Sequence, residues 1–110
     1  MFTILEHLSD IKLRINYSSR EDFISSLISG YRYLLIDEAQ MRCCDRFKIS
    51  YTYNEINDLQ RVGINFLNKL IYIFDQEHAI PVNANLIDKY GQVKIDVEFC
   101  VVEDQAILIN

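Results

Sequence analysis

Proline and glycine are scarce: the 110 residues hold one proline and three glycines. Disordered tails and long linkers are usually rich in such breakers, so the composition argues against both. A basic surplus is also missing. Eleven Lys and Arg stand against sixteen Asp and Glu, for a formal net charge of -5. Proteins that hold phosphate backbones need the opposite balance, which argues against a nucleic-acid binder. Long apolar runs are absent too. "FLNKLIYIF" has nine residues and carries Lys69, whereas a membrane span needs about 20. The opening "MFTILEHLSDIK" has neither a basic start nor a small-residue cleavage site, so no signal peptide is expected.

Cysteine is limited to Cys43, Cys44 and Cys100. An odd count with two neighbours adjacent is not a disulfide framework, and reduced thiols in a cytoplasmic protein are the expectation. No C-x-x-C or H-x-x-x-H zinc spacing occurs, and Gly30, Gly63 and Gly91 are isolated from any phosphate-binding motif. No cofactor and no metal is implied. What is present is an ordinary globular balance, 50% hydrophobic and 25% charged, at a length that suits one domain over 1–110.

The patterning implies mixed structure. "DIKLRINY" alternates, with Ile11, Leu13, Ile15 and Tyr17 on one side of a strand and Lys12, Arg14 and Asn16 on the other. The preceding "FTILEHL" fits a short helix or another strand. Ser18 or Ser19 is a good N-cap, and Phe23, Leu27, Tyr31, Leu34 and Leu35 recur at helical spacing. This spacing predicts a helix over 20–43. "RFKISYTYNE" reads as a strand or an extended connection. Asn54 is the expected cap of a second helix with Ile56, Leu59, Gly63, Phe66, Leu70 and Phe74 on one face; Ile64, Leu67 and Ile71 widen it, so its second half should be buried on most sides. Pro81 follows the helix. "VKIDVEFCVV" alternates again, and "EDQ" reads as a turn into "AILIN", giving a C-terminal hairpin. The expected class is α+β, with two long helices on a small, mostly antiparallel sheet. Lys12 and Arg14 would face Asp96 and Glu98 if the first strand and the hairpin strand were neighbours.

Three groups of side chains invite a functional reading. Asp75, Glu77 and His78 crowd the end of the second helix, where a histidine also suits the helix dipole. They supply too few ligands for zinc. Cys43 and Cys44, read as helical, have Arg42 and Arg46 nearby to favour a thiolate, but no histidine. The third group is acidic and aromatic. Asp37, Glu38, Glu55 and Asp58, with Tyr33 off the main apolar stripe, suit a face that steers and anchors a basic protein.

In size, acidity and absence of catalytic motifs the chain resembles bacterial immunity proteins of the contact-dependent growth inhibition type. The resemblance implies a non-enzymatic cytoplasmic inhibitor in a one-to-one complex with a basic toxin domain, a cationic nuclease, whose active site the carboxylates would occlude. A phage-encoded inhibitor has the same composition. Two other readings are a small metal- or ligand-binding enzyme domain using Asp75, Glu77 and His78, and a homodimeric structural subunit. An apolar patch on one helix or at "AILIN" would mark the last.

Overall fold

The computed structural model describes residues 1–6, 11–54, 58–89 and 91–108. Its elements are β1 (Phe2–Glu6), β2 (Ile11–Ile15), α1 (Arg20–Leu35), β3 (Cys43–Asn54), α2 (Leu59–Glu77), β4 (Ala79–Lys89) and β5 (Gln92–Val102). Short 3-10 turns follow at Glu38–Gln40 and Asp104–Ala106. The sheet is antiparallel with the order β3-β5-β4, and β1 and β2 pair as a separate antiparallel ribbon.

The centre is β5. Its Val93, Ile95, Val97 and Phe99 are at most 1% exposed, whereas Lys94, Asp96 and Glu98 point to the other face. Period two is what a sheet with one dry face requires. Ile24, Leu27 and Ile28 of α1 and Phe66 and Leu70 of α2 complete the same buried cluster. Each fully buried side chain of this size contributes about 1.5–3 kcal/mol. Two helices on an antiparallel sheet is the α+β class that the patterning implied.

Local chemistry sets the helix ends. The Ser19 hydroxyl accepts from the Asp22 N–H at 3.1 Å, and the Asp22 carboxylate accepts from the Ser18 N–H at 3.0 Å. That reciprocal cap starts α1 and holds the Asp22 pKa below its usual value. The helix stops at Leu35 rather than near 43. Ile36 turns extended and bridges Ile107, and the Asp37 carboxylate accepts from the Ala39 N–H, which favours a turn over another helical one. The second helix begins with Asp58, whose carboxylate accepts from the Arg61 N–H at 3.1 Å. Asn54 does not cap it; Asn54 still belongs to β3, opposite Gln92. Ile56 lies outside the described residues.

Other expectations are corrected. Cys43 and Cys44 open a strand, not the end of a helix. Cys43 and Cys100, 57 positions apart, form a disulfide, and Cys44 is the free, exposed thiol. Spacing along the chain could not show this, because the β3–β5 pairing brings the two together. A hairpin does lie near the C-terminus, but β5 turns back on β4 rather than on "AILIN". The strand β4 was hidden by Pro81 and by polar Asn83 and Asn85. Proline is tolerated there because β4 is an edge strand, bulged between Pro81 and Asn83. Gly91, at φ 74, serves the turn between Lys89 and Gln92. The proposed neighbourhood of Lys12 and Arg14 with Asp96 and Glu98 does not form. Glu98 instead meets Arg46 at 2.6 Å and Asp96 accepts from Ser50, both across β3.

Truncating β5 tests this architecture. Phe99, fully buried and stacked on Phe47 at 5.2 Å, should lose about 3–5 kcal/mol on Phe99→Ala. Exposed Lys48→Ala should stay within about 0.5 kcal/mol. Urea titrations giving equal losses for the two would show that β5 is not the centre of the core.

Candidate partner-binding surface

The helices α1 and α2 run in the same direction but do not close on each other along their outer sides. Near their starts Phe23 lies on Gly63, where an added Cβ would stand 2.7 Å from Phe23 Cζ. Further along, the Tyr31 hydroxyl donates to the Leu70 carbonyl at 3.5 Å. Between these contacts and outward from them lies a cavity of about 610 Å3. Tyr17, Phe23, Leu27, Tyr31 and Leu34 line one wall, and Gly63, Ile64 and Leu67 the other. Among the described residues no charged side chain lines it.

Sequence reasoning missed this surface. Ile64 and Ile71 were expected to be buried, yet they are 57% and 41% exposed. Gln60, Ile64, Leu67, Ile71 and Asp75 recur at helical spacing, which places them on one stripe of α2 beside the cavity. The signal was present: α2 is apolar on more sides than a two-layer fold can cover. Burial raises the Tyr31 pKa to about 12, helped by the negative charge of the Asp75 carboxylate. Tyr53, on β3, also rises to about 12; its hydroxyl is buried without a hydrogen-bond partner, and Tyr51 adds to the shift.

The acidic residues named from the sequence are placed apart. Tyr33 lies in the last turn of α1, and Asp37 and Glu38 follow just past its end. There Tyr33 packs on Phe2 at 5.7 Å and Glu38 pairs with Arg32 at 2.7 Å. Asp58 caps the start of α2, near the start of α1. The 16 residues of α1 separate the two groups by about 24 Å at 1.5 Å per residue. Glu55 lies outside the described residues. His78 ends α2 in a left-handed conformation, φ 52, and its Nδ1 is 3.4 Å from Asp104, not from Asp75. Among the described residues no three His, Cys, Asp or Glu side chains are grouped to hold a metal.

A sequence model of the Archease protein family (MTH1598/TM1083) matches residues 2–105. The chain belongs to the Archease family. Its fold is similar to that of Methanobacterium thermoautotrophicum protein 1598, known from a solution structure. The TM-score is 0.72 at 12% identity, covering 93% of this chain and 72% of that one. At that identity the likeness is one of fold. No curated protein sequence matches the chain.

Membership corrects the functional expectation. Archeases are non-catalytic modulators, in agreement with the reading that the chain is not an enzyme. The resemblance to immunity proteins of contact-dependent growth inhibition does not hold. With it go the basic toxin domain, the one-to-one toxin complex and the occlusion of a nuclease site. The enzyme reading built on Asp75, Glu77 and His78 is likewise set aside. The resemblance rested on size, acidity and missing motifs, and unrelated folds share all three.

Two measurements check the geometry of this surface. Below pH 10 both phenols are neutral whether the chain is folded or not. From pH 10 to about 12 the unfolded chain loses protons that folded Tyr31 and Tyr53 keep, so stability falls as pH rises through that window. An ultraviolet titration should show two of the seven tyrosines ionising last, one fewer in Tyr31→Phe and in Tyr53→Phe. Seven phenols titrating together near pH 10 would contradict the burial. Separately, Gly63→Ala forces the Phe23 ring aside. It should cost about 1–3 kcal/mol, despite the roughly 1 kcal/mol by which alanine is the better helix former.

Proposed function

We propose that the protein is a cytoplasmic protein cofactor of an RNA-processing enzyme of the tRNA-ligase type, acting by binding that enzyme rather than RNA. The observation that carries this reading is the family match over residues 2–105. The surface chemistry supports it. A net charge of -5 is repelled by phosphate backbones but complements an enzyme whose own RNA site is basic. No helix among the described residues is long and apolar enough to cross a membrane. The acids at Asp37, Glu38, Glu55 and Asp58, with Tyr33, steer the approach to that basic enzyme.

The test adds the purified chain to the RNA ligase from the same cells and measures RNA joining. Stimulation near stoichiometric amounts, with no processing by the chain alone, is the expected result. No change at any ratio would remove the reading. Replacing Asp37 and Asp58 by Asn, which can keep their capping bonds, together with Glu38→Lys and Glu55→Lys should slow association by about tenfold or more at low salt, with the difference shrinking as salt is added. A rate that does not respond would show that these carboxylates do not steer the encounter.

A further inference from the structure

The groove between α1 and α2 needs an occupant with its own chemistry. Ile15 at the end of β2 and Tyr17 close one end of it, but the long walls are the surfaces of α1 and α2, whose mid-helix backbone N–H and C=O groups are already bonded within each helix. An extended peptide laid there would leave its own backbone unsatisfied, whereas a helix bonds its backbone internally. The stripe Gln60, Ile64, Leu67, Ile71 spans about 16 Å, or three helical turns. Carboxylates mark its ends. Asp58 precedes the stripe, Asp75 follows Ile71 by one turn and ends it, and both are exposed.

The geometry points to a docking site for an amphipathic helix of a protein partner, with an apolar face of about three turns and Lys or Arg at both ends. This inference rests on the proposed cofactor role and supplies the surface and the chemistry it would use. A helix seated across α1 and α2 covers Ile64 and Ile71 and sets a basic end against each carboxylate. A second copy of the chain fits worse. Packed on the same stripe antiparallel, it would bring Asp58 against Asp75; packed parallel, it would bring Asp75 against Asp75. Both place like charges together.

The probe is a synthetic helical peptide of about 18 residues. It carries leucines at i, i+4, i+7 and i+11, lysines in its first and last turns and glutamine elsewhere; a control peptide has glutamate for lysine. Affinity is measured by calorimetry and the site by amide chemical shifts. The lysine peptide should bind, with shifts centred on Leu27, Tyr31, Leu67 and Ile71, and at least about tenfold tighter than the control. Ile64→Asp and Ile71→Asp should each weaken it about tenfold or more with melting temperatures unchanged, because both side chains are already exposed. Asp75→Asn should narrow the gap between the peptides. Equal affinity for both peptides, shifts centred on the β3 edge, no binding, or self-association that Ile64→Asp abolishes would each overturn the proposal. The ligation assay separates the two claims. If the wild-type chain and Ile64→Asp stimulate joining equally, the groove fails while the cofactor role stands. If the wild-type chain takes the peptide at the groove without stimulating joining, the groove stands and the role fails.

Discussion

One face of β5 must stay dry, and most of the fold follows from that. A strand with a neighbour on each side has its backbone satisfied, so only the side-chain faces remain to be dealt with. Val93, Ile95, Val97 and Phe99 fill one face and are covered by the helices. The other carries Lys94, Asp96 and Glu98, which find Arg46 and Ser50 on β3. The flanking strands may then be less perfect. One accepts a proline and a bulge, and the other leaves Phe47, Ile49, Tyr51 and Tyr53 only half covered.

The same constraint leaves the groove. Both helices turn a stripe into the core over the sheet, Ile24 and Ile28 from α1 and Phe66 and Leu70 from α2, while Phe23 and Tyr31 are left facing α2. Gly63 lets Phe23 come close at one end and Tyr31 reaches the Leu70 carbonyl further along, but none of the described residues fills the outer side. A helix that is apolar beyond its core face stays exposed in a domain of only two layers. The exposed isoleucines of α2 are therefore a by-product of packing that a partner can use.

The acids illustrate how one residue type serves separate ends. Asp22, Asp37 and Asp58 each accept a backbone N–H where a helical turn begins, and Glu38 pairs with Arg32. Their first duty is local. Because the turns they start lie at different ends of the molecule, the negative charge is spread rather than gathered into one face. Spread charge is the source of the proposed steering, and the apolar groove is the contact area proposed for a partner.

Alternation in 93–101, the cap near Ser19 and helical spacing on either side of β3 were enough to give two helices and a sheet, because local periodicity records which face is wet. The end of α1 and the start of α2 were misplaced because Asp37 and Asp58 act through side-chain bonds that their spacing alone does not rank. Strand order, the Cys43–Cys100 bond and the exposure of Ile64 and Ile71 were not legible at all. Each depends on which distant segments meet. Bulk acidity likewise named no partner, since net charge constrains solubility and steering but not identity. The sequence by itself determined the class of fold and the wet and dry faces of its main strand. Only the tertiary structure decided that two helices would stand apart over that strand, because the gap between them exists in neither one alone.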